Sequence, residues 1–445
     1  MLIRFRVENF LSFEKQVELS LIPGSVRSHE NHIARGTGKT EIDVLRAALI
    51  YGANAAGKSN LVRAIDFAKV FILEGTRPNQ HINVSPFRLS FLNGIQPSKF
   101  EFDIKVSDNS SYSYGFSLDE QCVHEEWLYE IKKTTQTLLF ERKTPPGEET
   151  KVVFSKKLTR SKKQRDFLEF VGIGTRPNQL FLTECAERNV KQFEEVYNWF
   201  REKLTVIFPN SHAVGVPGIT EFGSIKVAEG TLVNLLHRFD TGICGMGYQD
   251  ISSEELFPTE VLDDIKKDLK KGEKVAILSP DNIRYVVEYN DEEPSKLKIK
   301  RMDLKHKGKN GEEFFLDQES DGTTRLLDFI PMLEEKENND YKVYIVDELE
   351  RSLHPIITYE LIQNFLALQG NNQLIATTHE SSLLNFELLR RDEIWFVEKD
   401  VEGASHLYSL EEFTPRYDRD IEKGYLMGRF GGIPVVGKIE LEKEK

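Results

Sequence analysis

The clearest chemistry in this chain lies in Gly52-Ala53-Asn54-Ala55-Ala56-Gly57-Lys58-Ser59, a complete GxxxxGK[ST] pattern. Glycines there let backbone N–H groups curl around phosphate oxygens, and a following helix turns its positive end toward them. Lys58 has the reach for β- and γ-phosphates, and the Ser59 hydroxyl can ligate Mg²⁺. The flanks match what the motif demands, because 44–51 reads as an apolar strand and 60–73 as a helix. The expected nucleotide-contacting set is Gly52, Asn54, Ala56, Gly57, Lys58, Ser59 and Asn60. Gly36-Thr37-Gly38-Lys39-Thr40 also reads GxGKT, but its first glycine would fall at Ile33 and no apolar strand precedes it, so it is assigned to a loop.

A second constellation is acidic. Val343-Tyr344-Ile345-Val346-Asp347-Glu348 is an apolar strand that ends in two carboxylates. If a parallel sheet brings that end beside the phosphate loop, Asp347 is expected to hold the Mg²⁺ shell and Glu348 to orient the attacking water. By itself the pair would be an ordinary solvent-facing acidic turn; the phosphate loop is what gives it meaning. Ser320-Asp321-Gly322-Thr323 opens a helical run, where a hydroxyl, backbone amides and a helix dipole meet an anion. Leu374-Ile375-Ala376-Thr377-Thr378-His379 is an apolar strand ending in an imidazole that can contact a γ-phosphate. The expected catalytic residues are therefore Glu348 and His379, with Ser59 and Asp347 as metal ligands.

The elements that must position these residues follow from periodicity. Residues 2–8 and 16–22 alternate like strands about a bend at Asn9-Phe10-Leu11-Ser12-Phe13, and 99–131 alternates again. Helical spacing governs about 160–205 and a segment near 254–271. Strands return at 284–289 and 296–300, then alternate with helices from 320 onward. The expected fold is α/β, with 1–150 as a β-rich lobe carrying the phosphate loop, 151–275 as a mostly helical insertion, and 276–445 as a C-terminal α/β lobe. No long heptad segment, repeat or low-complexity tract is present.

Composition narrows the setting. With 39% hydrophobic and 29% charged residues among 445, the chain reads as globular, and no eighteen-residue apolar run exists to span a membrane. Cys122, Cys185 and Cys244 lack zinc-like or CxxC spacing, and the N-terminus lacks a signal peptide's apolar core, so a cytoplasmic location is expected. A net charge of −13 opposes a surface built wholly for nucleic acid. Two basic runs, 151–165 and 296–309, could still track phosphates or simply be solvated faces.

The motif set, including the Asn9-Phe10-x-Ser12-Phe13 bend, resembles the ABC-type ATPase heads of the RecF and SMC group, and more closely the abortive-infection ATPases of the AbiL or RloA type. The resemblance rests on Tyr51 to Leu61, on Glu319-Ser320-Asp321-Gly322-Thr323, and on Asp347-Glu348 followed by Ser352-Leu353-His354-Pro355. It also rests on Ala376-Thr377-Thr378-His379 and on Gly424-Tyr425-Leu426 with Gly428-Arg429-Phe430-Gly431-Gly432-Ile433-Pro434. It covers nearly the whole chain, 132–280 being least diagnostic. It implies an ABC-type head fold, an ATP and Mg²⁺ site, and a Ser320 segment that completes the site of a second copy. It implies also a role in phage defence through a separately encoded effector such as a nuclease. The signature departs from the transporter Ser-Gly-Gly-Gln, His354 stands where transporters carry aspartate, and neither Gln80 nor Gln96 is singled out as the Q-loop glutamine.

One copy of each motif makes a homodimer the economical arrangement, with higher assembly left open. No second catalytic centre is visible, since no DxD follows a strand and His379-Glu380 lacks a second histidine. The alternative is a RecF-like DNA-repair ATPase, and a transporter ATPase is a distant third.

Overall fold

The computed structural model describes residues 1–36, 38, 40–90, 96–107, 110–144, 150–158, 161–209, 229–251, 262–263, 265–266, 269, 274–278, 284–289, 297–308, 313–333, 341–413 and 421–434. Contacts divide the chain into two compact units, one of Met1–Val206, Lys336–Leu349 and Gln369–Lys445, the other of Ile207–Glu335 and Glu350–Leu368. The segments expected from the sequence are contiguous stretches, whereas these units are assembled from separated ones.

The first unit holds two large sheets and a short antiparallel pair, β3 (Ile33–Ala34) and β4 (Val44–Leu45). Alternation of aromatic and charged residues builds a seven-stranded antiparallel sheet. Its order is β10 (Lys151–Phe154), β9 (Gln136–Lys143), β8 (Val123–Ile131), β7 (Ser110–Leu118), β6 (Ser98–Ser107), β1 (Leu2–Glu8) and β2 (Val17–Ser20). Phe5, Phe100, Phe102, Tyr114 and Phe116 fill one face, while Arg6 on the other pairs with Glu101 and Glu18. The second sheet runs β11 (Leu204–Ile207), β17 (Val343–Val346), β18 (Gln373–Thr377), β5 (Ala47–Gly52), β19 (Ile394–Lys399) and β20 (Ser405–Ser409). Its central strands β17, β18, β5 and β19 are parallel, and their near-continuous apolar runs fit burial on both faces.

Helix α1 (Lys58–Glu74) leaves β5 through the phosphate loop. Leu61, Ala64, Ile65, Ala68, Phe71 and Ile72 make its buried stripe at helical spacing. Phe67 and Phe71 meet Phe100 and Phe116 of the antiparallel sheet, with centroids 5.2 and 5.8 Å apart. Next along the chain come α2 (Lys162–Gly174), α3 (Phe181–Glu187) and α4 (Glu194–Asn198), in the stretch where helical spacing is read. They hold the far end of α1, since Thr183 Oγ1 donates to Ile72 O at 2.7 Å and Tyr197 OH to Leu73 O at 3.1 Å.

The second unit contains α5 (Glu229–Arg238) and an antiparallel sheet of β12 (Ile243–Ile251), β15 (Leu297–His306), β14 (Arg284–Tyr289) and β13 (Lys274–Leu278), with β16 (Glu313–Phe315) beside β15. Ile265, Leu269, Tyr285, Val287, Leu297 and Ile299 form its core. Strand β12 lies inside the stretch read as mostly helical; Gly245 and Gly247 interrupt its alternation and hide the strand period. Of the helix expected near 254–271, only 262–263 and 265–266 are helical among the described residues, and most of the rest lies outside them. Helices α6 (Asp321–Phe329) and α7 (Pro355–Ala367) belong to this unit, and α8 (Ile421–Leu426) to the first. No described helix is long and apolar enough to cross a membrane.

One buried network joins the antiparallel sheet to the helices behind α1. The Glu126 carboxylate accepts from Phe181 N at 2.6 Å, Leu182 N at 2.9 Å and Tyr114 OH at 3.0 Å, and Arg142 Nη1 stands 3.5 Å away. Both charged side chains are fully buried, and burial raises the carboxyl pKa while lowering that of the guanidinium. Glu126→Ala would strand the Arg142 charge and orphan two helix N-terminal amides. It is expected to cost about 3–5 kcal/mol in urea unfolding, against about 1 kcal/mol for Tyr114→Phe.

Candidate functional site

Parallel pairing is what assembles the site. β5 is hydrogen-bonded between β18 and β19, and β18 to β17, all pointing the same way. The carboxyl ends of β5, β17 and β18, at Gly52, Val346 and Thr377, therefore come out along one sheet edge, with Val397 of β19 paired to Gly52.

The phosphate loop is closed too tightly for side chains at two positions. A Cβ on Gly52 would sit 2.4 Å from Val397 O. Gly57, at φ 117, N-caps α1, and a Cβ there would sit 2.3 Å from Ser405 Oγ. Between them Ala55 takes φ 61, while Asn54 is exposed and Ala56 buried. The first turn of α1 has no acidic side chain of its own, and Gly57 contributes no side-chain cap, so its positive end faces the loop. Lys58 Nζ donates to Gly52 O at 2.7 Å and Ala53 O at 3.0 Å, curling its ammonium over the loop's own carbonyls.

Two distant segments brace this loop. Ser405 Oγ donates to Ala56 O at 2.6 Å, and Ser405 N donates to Ser12 O at 2.7 Å. Asn60 Nδ2 donates to Ser12 Oγ at 2.8 Å. The Asn9 to Phe13 bend is itself pinned: Asn9 and Leu11 take φ 49 and 50, and Ser98 Oγ donates to Asn9 O at 2.5 Å. The bend, which in the sequence carries part of the family resemblance, thus braces the phosphate loop. Tyr425 of the C-terminal motif packs edge-on to Tyr51, the residue before Gly52, and its OH donates to Gly432 O at 3.1 Å.

Asp347 is buried and stands opposite Ser59, whose Oγ donates to Asp347 Oδ1 at 3.1 Å. Thr377 Oγ1 donates to the same oxygen at 2.6 Å and accepts from Glu348 N at 2.9 Å. Leu349 N continues the pairing to Thr377 O at 3.0 Å. Glu348 is half-buried and takes φ 49, which ends the strand abruptly. A hydroxyl and a carboxylate oxygen converging in this way fit a hard divalent cation such as Mg²⁺, which keeps most of its water and takes one or two protein oxygens. His379 is exposed, two residues past Thr377. Gln80 and Gln96 are both exposed, with polar contacts at Arg77, Asn178 and Asn9 rather than at the loop.

Ser320, Gly322 and Thr323 lie in the second unit. Ser320 is exposed and N-caps α6, accepting from Thr323 N at 3.1 Å, and its Oγ lies 2.9 Å from Thr323 Oγ1. A Cβ on Gly322 would sit 2.7 Å from Ser352 O, so the signature and the turn after the acidic pair are packed backbone to backbone. His354 N-caps α7 through Ile356 N at 3.3 Å.

The first unit therefore gathers Gly52, Ala56, Gly57, Lys58, Ser59, Asn60, Asp347 and Glu348, and adds Thr377, Ser12 and Ser405, which sequence reasoning missed. Thr377 carried a weak signal, being the last residue of a strand parallel to that of Asp347. Ser405 carried none, because only the β19–β20 hairpin turns it back onto Ala56.

Residues 47–385 match the family model described as "AAA domain, putative AbiEii toxin, Type IV TA system". Among solved structures, the chain is similar to the SMC head domain from Thermotoga maritima, at 12% identity over 92% of this chain and 98% of that one, with a TM-score of 0.33. It is similar also to the Pyrococcus furiosus Smc head domain with an extended coiled coil bound to the C-terminal domain of ScpA, at 12% identity, 92% and 97% coverage and a TM-score of 0.37. The Pyrococcus yayanosii Smc head domain with a coiled coil and joint gives 11%, 96% and 99%, and 0.38. No curated protein sequence matches the chain.

Thr377→Val keeps the shape and removes the hydroxyl that fixes Asp347 and the Glu348 backbone. The variant is expected to fold normally and to lose roughly 10–100-fold in magnesium-dependent ATP turnover, with the Mg²⁺ concentration for half activity raised. Unchanged magnesium dependence would remove the positioning role.

Proposed function

This chain belongs to the AAA-domain family described as putative AbiEii toxin of a Type IV toxin–antitoxin system, and on that premise we propose that it binds and hydrolyses ATP to control another protein. The observation that carries the ATPase reading is the triad of Ser59, Asp347 and Thr377 at the mouth of a phosphate loop.

In this reading Gly52, Asn54, Ala56, Gly57 and Asn60 wrap the phosphates with backbone amides, helped by the dipole of α1. On nucleotide binding, Lys58 exchanges the Gly52 and Ala53 carbonyls for β- and γ-phosphate oxygens. Ser59 and Asp347 would hold Mg²⁺, which neutralises charge on those oxygens when bound. Glu348 orients the water that attacks the γ-phosphorus and accepts its proton as the bond to ADP breaks. His379, exposed at the strand end, contacts the γ-phosphate. Ser320, Gly322 and Thr323 act in trans, where an exposed hydroxyl at the positive end of α6 suits a partner's γ-phosphate. Two copies would then form two composite sites in a homodimer.

The purpose we propose is antiphage defence of the abortive-infection kind, with a separately encoded effector such as a nuclease held or released by the ATP state in the cytoplasm. The family description supports the defence setting. A surface feature supports a protein partner: α2 shows Phe167, Phe170 and Ile173 on one face at 45%, 64% and 80% exposure. Lys156, Lys162, Lys163 and Arg165 are exposed nearby in the sequence, as are Asp166 and Glu169, so apolar anchors ringed by charges of both signs are what a partner would meet. The RecF-like alternative leans on the basic runs, yet the run at 296–309 is largely neutralised in place. There Lys298 pairs with Asp250, Lys300 with Glu288, Arg301 with Asp317 and Lys305 with Glu313.

Glu348→Gln is expected to bind ATP, turn it over about 10²–10⁴-fold more slowly and accumulate as a dimer, while Lys58→Ala binds no ATP. With Glu348→Gln as bait, the product of a neighbouring gene should co-purify, and Phe170→Asp should release it without altering turnover. Turnover by Glu348→Gln at the parental rate would overturn the water-orienting role; a bait that captures only DNA would favour the alternative.

A further inference from the structure

The turn joining β7 to β8 gathers three side chains that the phosphate site leaves unused: Asp119, Cys122 and His124. Their donor atoms all lie within 4.8 Å of one another. Cys122 Sγ is 3.8 Å from each ring nitrogen of His124, and His124 Nε2 is 2.7 Å from Asp119 Oδ2. For a tetrahedral zinc ion, sulfur and nitrogen ligands stand about 3.6 Å apart, so the thiol and imidazole are already near bonding separation. The imidazole and carboxylate would open by roughly 0.7 Å to admit the ion. Thiol, imidazole and carboxylate together are the donor mix of zinc and cobalt, whereas Mg²⁺ and Ca²⁺ take oxygen alone.

The turn is also pre-shaped. Asp119 Oδ1 accepts from Gln121 N at 2.7 Å and Cys122 N at 2.9 Å, which orients the carboxylate and leaves Oδ2 toward the imidazole. Cys122 and His124 are two residues apart at a strand start, so they share a face. The surrounding backbone is fastened from several sides: Asp119 N to Cys122 O, Ile82 N to Glu120 O, Val123 N to Pro177 O and Thr144 N to His124 O. All three side chains are half-buried, open enough for an ion to enter.

We propose that Asp119 Oδ2, Cys122 Sγ and one ring nitrogen of His124 bind a zinc-class divalent cation, with the fourth position left to water. The thiol gives up its proton to solvent as the metal–sulfur bond forms, so binding weakens as pH falls. His124 lies two residues before Glu126, the carboxylate that holds the first amides of α3. Occupancy would therefore stiffen the strand from which the helices behind α1 are hung.

Cobalt titration of the purified full-length chain, without nucleotide, tests this. One equivalent of Co²⁺ should give near-ultraviolet thiolate charge-transfer absorption with visible bands of tetrahedral strength, and Zn²⁺ should abolish both. Cys122→Ser and His124→Ala should lose the signal, while Cys244→Ser keeps it; the Ser59 and Asp347 site has no sulfur and cannot produce it. Zn²⁺ should raise the melting temperature of the parent but not of Cys122→Ser, whose metal-free melting serves as the folding control. A thiolate band that is missing at one equivalent, or that survives Cys122→Ser, overturns the proposal and leaves a hydrogen-bonded turn.

Discussion

One carboxylate oxygen holds the site together. Asp347 Oδ1 accepts from Ser59 at the start of α1 and from Thr377 at the end of β18. It thereby ties the phosphate loop to two neighbouring strands of the parallel sheet. Asp347 is buried, so its side-chain oxygens need hydrogen-bond donors, and the aligned strands and α1 present two to Oδ1. The remaining architecture answers to this requirement. The antiparallel sheet supports α1 from one side, and the Ser12 and Ser405 contacts clamp the loop that begins it.

Parts of this arrangement are legible in the sequence because they are local. The GxxxxGK[ST] run announces itself through residue types, and the strands at 343–346, 374–377 and 394–397 announce themselves as short apolar runs. Ser320 as a helix N-cap and His354 before Pro355 likewise follow from short-range capping chemistry. What escaped reading is long-range. Ser405 and Ala56 meet only because the β19–β20 hairpin folds back on the loop. Arg142 lies past the alternation of 99–131, in the stretch with least sequence signal, yet it is fully buried against Glu126. Sequence spacing records neither contact, since both depend on which strands become neighbours.

Charge shows the same limit. The runs at 151–165 and 296–309 look equivalent in the sequence, but cross-strand carboxylates from β12, β14 and β16 neutralise much of the second. The first lies around α2, where exposed aromatic side chains accompany exposed lysines. Exposed apolar and basic side chains thus share one helix, whereas the second run is spent on pairing strands.

The central proposal, a phosphate loop from one copy completed by the signature of another, is tested most directly by mixing two inactive chains. Lys58→Ala disables the loop; Ser320→Asp preserves the helix cap while setting negative charge against the γ-phosphate. Each alone should be inactive. Mixed in equal amounts, they form heterodimers with one undamaged composite site, and ATPase activity should return to roughly a quarter of the parental level. Full activity of Ser320→Asp alone, or no recovery on mixing when heterodimers have formed, would contradict the account.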